Sequence, residues 1–197
     1  EIARVVRGFG GEVVMTSPLH ERATDRVAEA ARVTGGDIVV VIQGDEPLLR
    51  PEMMDAAVRP LTEDETVFCS NLVHPIETVE EFENPNTIKV VMDHNGDALY
   101  FSREPIPSPR KFGFAKIRAY KQVCIMPFHR DNLFRFLELP PTPLEQAESI
   151  DMLRLLEHGY RVRLVETRTK TLAVDVPADV PEVERVMRDD PLWAQGQ

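Results

Sequence analysis

The sequence predicts one α/β domain on a mostly parallel mixed sheet with a hairpin-containing insertion, and three observations carry that expectation. Ile38 to Ile42 is an unbroken branched-aliphatic run, the pattern of a strand buried on both faces, and it stops abruptly at Gln43-Gly44-Asp45-Glu46-Pro47. Helix-period and strand-period segments alternate along the chain, as in successive βα units. Asp93-His94-Asn95-Gly96-Asp97 separates two β-rich runs, and Asn-Gly is a strong hairpin signal. The chain has 197 residues, 43% of them apolar, enough for one sizeable core, so 1–197 reads as a single domain.

Taken in order, Ile2, Val5, Val6 and Phe9 recur at helical spacing and stop at Gly10-Gly11, so the chain opens inside a helix. Glu12 to Met15 reads as a short strand. Thr24 or Asp25 can cap a second helix whose small apolar face includes Val27, Ala28, Ala31 and Val33, ended by Gly35-Gly36. After the 38–42 strand, Pro51 opens a helix through about Leu61, and Thr66 to Val73 is β-rich. A short acidic helix over Glu77 to Phe82 precedes the hairpin runs Thr87 to Met92 and Ala98 to Ser102. Pro105, Pro107 and Pro109 keep the next stretch extended. Arg118 to Met126 predicts a strand and His129 to Leu137 a helix closed by Pro140-Pro141. Thr142-Pro143-Leu144-Glu145 combines a capping box with proline at the first helical position, predicting a helix that runs until Gly159. Arg161 to Glu166 and Thr171 to Val174 read as strands, and Asp179 and Glu182 can cap a final helix.

Composition excludes several classes of function. A formal charge of −10 argues against general affinity for nucleic acid or anionic lipid, which need a positive field. No run of about 18 apolar residues and no charged-then-apolar leader is present, so a cytoplasmic protein is expected. Cys69 and Cys124 lie in apolar runs without metal-ligand spacing, as reduced core thiols do. Between Arg103 and Lys121, six cations stand against the single acid Glu104; the segment is either a solvated loop or a face toward a small, highly charged substrate.

The candidate chemistry sits where two strands end. Ligands of open α/β sheets bind beyond the carboxyl ends of strands, and Asp45 and Asp175 are both expected there although far apart in sequence. Each alone could be a cap or turn residue. Together they suit Mg²⁺, which takes one or two protein carboxylates and completes its shell with water and phosphate oxygens.

Ile38 to Pro47 (IVVVIQGDEP), Asn84 to Val91 (NPNTIKVV), Gly96 to Arg103 (GDALYFSR), Pro143 to Glu145 with Leu153-Arg154, and Asp175-Val176-Pro177 resemble the 3-deoxy-manno-octulosonate cytidylyltransferase (CMP-Kdo synthetase) family. The resemblance runs in unbroken order from about Val5 to Met187. It implies a Rossmann-like nucleotidyltransferase fold and Mg²⁺-dependent transfer of CMP from CTP to a 2-keto sugar acid, with Asp45 and Asp175 as catalytic metal ligands. It places Gln43, Arg103, Gln122 and Glu145 on the sugar-acid side, with Arg103 a carboxylate clamp, and His20, Arg22, Thr24 and Asp25 beside the nucleotide. Asn71 fits either that side or a hydrogen-bonded strand end. A homodimer is implied by the resemblance alone.

Departures from the family pattern shape further expectations. The family opens with a central strand and a triphosphate-gripping loop of cationic side chains and backbone amides, so roughly fifty N-terminal residues are expected beyond this chain, which alone should bind CTP poorly. At His20 to Arg26 the chain reads HERATDR where the family has HxSGTDR, adding charge and bulk near the cytosine pocket. Gln122, Met126 and Met152 stand where the family has histidine, tyrosine and glutamine, and thioethers leave sugar hydroxyls unpaired. Three functions remain open: CMP transfer to Kdo or a close analogue, nucleotidyl transfer to another small acid such as a phosphonate or nonulosonate, or a non-catalytic interaction subunit.

Overall fold

The computed structural model describes residues 1–20 and 22–190, so Glu21 of the His20 to Arg26 motif lies outside the described residues. In chain order the elements are α1 (Ile2–Gly8), α2 (Ala23–Ala31), β1 (Ile38–Ile42), α3 (Pro51–Glu63), β2 (Cys69–Pro75), α4 (Val79–Glu83), β3 (Lys89–Met92) and β4 (Ala98–Ser102). There follow β5 (Tyr120–Val123), β6 (Ile125–His129), α5 (Arg130–Glu138), α6 (Pro143–Glu148), α7 (Met152–Glu157), β7 (Val162–Glu166) and α8 (Val180–Arg188). Among the described residues no helix is long and apolar enough to cross a membrane.

The expectation of a mostly parallel sheet is overturned. Every pairing between named strands is antiparallel except that of β2 with β7. The error has a physical source, because a strand buried on both faces was read as a parallel one. Here β1 is antiparallel to β6 yet still covered twice: Val41 joins the core under α2, α5 and α7, while Val40 packs with Met53 and Ala57 of α3. The same alternation puts Val123 and Ile125 against α3 and Met126 and Phe128 in the larger core. Burial of each large apolar side chain contributes about 1.5–3 kcal/mol, so both layers hold the sheet.

One departure from the expected elements creates the site. The single strand predicted over Arg118 to Met126 is two, β5 and β6, and both pair with the same edge of β2, since β7 occupies the other. The β2 register slips between Leu72↔Val123 and Cys69↔Phe128, which puts a kink at Cys124. On its outer edge this bent strand pairs first with β3, at Lys89↔Lys121, and then with β1, at Ile42↔Ile125. β1 therefore ends where β3 begins, and the edge between them opens a gap.

Other corrections are smaller. Glu12 to Met15 and Thr171 to Val174 are not strands. α2 starts at Ala23 with Arg22 as its cap residue, so neither Thr24 nor Asp25 caps it. The helix expected to run to Gly159 breaks at Ser149, which adopts a left-handed conformation (φ 57°, ψ 47°) between α6 and α7. Glu145 does accept the Thr142 N–H, at 3.3 Å, as a capping box requires.

Candidate active site

The gap between β1 and β3 is the mouth of a cavity of about 490 Å³. The turn after β1 contributes Gln43, Asp45 and Glu46; α4 and the Asn84 to Ile88 segment form one wall; Arg103, Lys121, Gln122 and Cys124 line the base. Asp175, Val176 and Asp179 close the opposite side. That side is held in place by backbone: Val174 N–H donates to Asp45 C=O at 2.8 Å, and Asp179 Oδ2 accepts the N–H groups of Asp175 and Val176, each at 2.9 Å. Asp45 and Asp175, 130 residues apart in sequence, thus line one cavity.

The electrostatics are lopsided. Six acids (Asp45, Glu46, Glu80, Glu81, Asp175, Asp179) face the cavity against two cations, Arg103 and Lys121, and Lys121 is already paired with Glu81 at 2.6 Å. Burial, then the charges of Asp45 and Asp179, push the Asp175 carboxyl above the usual aspartate range, against the pull of Arg103 and Lys121. Burial likewise raises Glu46; an N–H bond from Cys124 and the charge of Lys121 oppose it, and Asp45 and Asp175 add to the rise. Asp45 Oδ1 and Glu46 Oε2 are buried without a hydrogen-bond partner among the described residues. An orphaned carboxylate oxygen is costly unless something positive completes it. The donor set, hard oxygens from two carboxylates, fits Mg²⁺, and no larger His/Cys/Asp/Glu cluster of metal-binding form occurs among the described residues.

Arg103 is fixed on several sides. Its Nε donates to Glu148 C=O at 2.8 Å, its Nη1 to Pro85 C=O at 3.2 Å, and its N–H to Glu148 Oε2 at 2.9 Å. The other Glu148 oxygen accepts from Ser102 Oγ at 2.8 Å. Fully buried Lys89 ties the Asn84 carbonyl, at 2.9 Å, to the Arg103 carbonyl. Neither Glu148 nor Lys89 stood out in the sequence as a site residue.

All but His20 of the sequence-predicted site residues fall into two groups. Gln43, Asp45, Arg103, Gln122 and Asp175 line the cavity. Glu145, Arg22, Thr24 and Asp25 belong to an ionic cluster between α2 and the α6–α7 pair. Glu145, 1% exposed, accepts from Arg154 Nε at 2.8 Å and Nη2 at 2.6 Å. Arg22 Nη1 donates to Ser149 Oγ at 2.7 Å, Thr24 Oγ1 donates to Asp151 Oδ2 at 2.6 Å, and Asp25 lies 3.9 Å from Arg154. His20 pairs with Glu29. Asn71 is fully buried in β2 and bonded to Gln122.

Comparison with known proteins bears on this arrangement. The family model described as Cytidylyltransferase matches residues 1–167. The 3-deoxy-manno-octulosonate cytidylyltransferase of Geobacter metallireducens is 44% identical over 191 residues, covering 92% of this chain and 75% of that protein. The protein of the same name from Geobacter sulfurreducens is 46% identical over 191 residues, covering 92% and 76%. A solved CMP:2-keto-3-deoxy-manno-octonic acid synthetase complexed with CTP superposes with a TM-score of 0.86 at 38% identity, over 95% of this chain and 77% of that one. The inositol-1-phosphate CTP transferase from T. maritima, at 14% identity and a TM-score of 0.63, shares the fold.

Proposed function

We propose, from the premise that this chain belongs to the 3-deoxy-manno-octulosonate cytidylyltransferase family, that it transfers CMP from CTP to the anomeric hydroxyl of Kdo or a close 2-keto-3-deoxy sugar acid, releasing pyrophosphate. One observation carries the reading: Asp45 and Asp175 share a cavity in which Asp45 Oδ1 is buried without a partner among the described residues.

We assign Asp45 and Asp175 as the residues that hold Mg²⁺, which when bound neutralises phosphate charge and keeps the triphosphate in line for displacement. The acidic excess of the cavity is the reason a cation is needed before two anionic substrates can share it. Arg103 supplies a planar fork for the acceptor's carboxylate, pre-set by its bonds to Glu148 and Pro85 so that little freedom is lost on binding. Gln43 and Gln122 face the sugar hydroxyls. His20, Arg22, Thr24 and Asp25 form the segment beside the base of CTP. Glu145 acts from behind the site, anchoring α6 and α7 through Arg154, while Glu148 on α6 carries that anchorage to Arg103. The enzyme works as a homodimer in the cytoplasm.

A second reading keeps the chemistry and changes the acceptor. Met126 and Met152, where the family has tyrosine and glutamine, are buried thioethers of the main core, 3% and 0% exposed. Met126 Sδ lies 3.7 Å from the amide nitrogen of cavity-lining Gln122, and a thioether in that place favours a less hydroxylated acid. The test is pyrophosphate release by the full-length enzyme from CTP, UTP and ATP with Kdo, a nonulosonate and a phosphonate, with Mg²⁺ or chelator. Release that needs CTP, Kdo and Mg²⁺ together is expected. Faster turnover of another acid would select the second reading, and release with none of them would reject both.

A further inference from the structure

Asn71 and Gln122 form a chain of two amides whose orientation is fixed by the backbone. Asn71 Nδ2 donates to two carbonyls, Leu72 C=O at 2.7 Å and Val123 C=O at 2.9 Å. Carbonyls only accept, so the nitrogen end of Asn71 must lie there and Oδ1 must be the end turned to Gln122. Gln122 approaches that oxygen at 2.5 Å, and an oxygen acceptor requires a donor, so the near atom is Nε2. The same nitrogen lies 3.7 Å from Met126 Sδ. Both hydrogens of the Gln122 amide are thus committed to the protein, and Oε1 is the end left without a protein partner among the described residues. Gln122 is one of the residues that line the cavity, and Oε1 is the end of its amide free to meet what the cavity holds.

We propose that Asn71 is a positioning residue for acceptor selection: it locks Gln122 so that only a carbonyl oxygen faces the cavity, and this corner takes a hydroxyl that donates. A group that can only accept, such as a second carboxylate, is rejected there, because rotating Gln122 would set its oxygen against Asn71 Oδ1. The inference rests on the preceding reading that the cavity holds a sugar acid. It deepens that reading by giving one wall a hydrogen-bonding sense.

The experiment uses the full-length enzyme and two readouts. Side-chain amide exchange by NMR follows the Gln122 NH₂ group, assigned by its loss in Gln122→Leu. Specificity is kcat/KM for Kdo against analogues that each lack one hydroxyl. In the wild type, slow exchange and about tenfold discrimination against one analogue are expected. Asn71→Val, which suits a strand, should give fast exchange and lose that discrimination, as should Gln122→Leu, and the double variant should lose no more than either. Asn71→Thr serves if the first variant does not melt cooperatively. Slow exchange and intact discrimination in the Asn71 variants, or intact discrimination in Gln122→Leu, would overturn the proposal. Absence of transfer to every sugar acid would reject the proposed function, while amide exchange would still decide whether Asn71 sets Gln122.

Discussion

Replacing Glu145 with alanine separates a structural carboxylate from a substrate-binding one. Glu145 and Arg154 have side chains 1% and 5% exposed and share a two-pronged ion pair at 2.8 and 2.6 Å. Without Glu145, the Arg154 guanidinium stays buried 4.4 Å from the Phe136 ring centre, with Asp25 at 3.9 Å as its remaining ion-pair partner. Removing one member of a buried pair costs about 3–5 kcal/mol, because the other charge is left uncompensated. Asp25 softens this, so the lower half of that range is expected. For a domain of this size that half corresponds to a fall in Tm of roughly 6–16 °C. The assay is urea unfolding of the full-length protein followed by circular dichroism, with CMP-transfer kinetics measured well below the transition. A double variant, Glu145→Leu with Arg154→Met, should recover most of the loss, since no charge remains buried. A loss below about 1 kcal/mol with a steep rise in the acceptor's KM would refute this reasoning and return Glu145 to the substrate side.

Two further outcomes follow from the same network. Glu148→Ala removes the acceptor for the Arg103 N–H and Ser102 Oγ, so KM for the sugar acid should rise roughly tenfold while KM for CTP stays close to wild type. Burial holds the Asp151 carboxyl above the usual aspartate value of 3.8, even though Thr24 and Arg22 oppose the shift. An acid whose folded pKa is raised favours the fold when protonated, and that contribution is lost as pH rises through the folded pKa. Asp151→Asn should therefore raise Tm at pH 7, with the gain shrinking as pH falls toward 4, as thermal melts across that range would show.

Elements encoded by neighbouring residues were legible. β1, α3, the β3–β4 hairpin and α5 each follow from local periodicity and punctuation, and their positions agree with the sequence to within a few residues. What depends on a distant partner was not. Thr171 to Val174 has strand composition, but it pairs with no strand among the described residues; Val174 N–H donates to the Asp45 carbonyl, so the segment is a tether. The kink at Cys124 is a register slip against β2, and nothing in Arg118 to Met126 announces it. The parallel reading failed because apolar continuity reports how many faces are covered, and helices cover both faces of an antiparallel strand equally well. Asp45 and Asp175 stand out in the sequence because each follows an apolar run and is followed two residues later by proline, and the structure brings both to one cavity, although the run before Asp175 is not a strand. The pairing of Glu145 with Arg154 was not legible, because Arg154 comes after a left-handed break at Ser149 that a smooth helical pattern conceals. Glu148 carried no local signal; its hold on Arg103 and Ser102 arises only when residues far apart in sequence come together.

The most direct test of the account is single-turnover pyrophosphate release from CTP and Kdo across a Mg²⁺ titration, comparing wild type with Asp45→Ala and Asp175→Ala in the full-length protein. Both side chains border a cavity and neither belongs to the apolar core, so each variant should melt near the wild-type temperature yet show no release at any Mg²⁺ concentration. Turnover with an unchanged Mg²⁺ dependence in either variant would contradict the claim that these two carboxylates hold the metal.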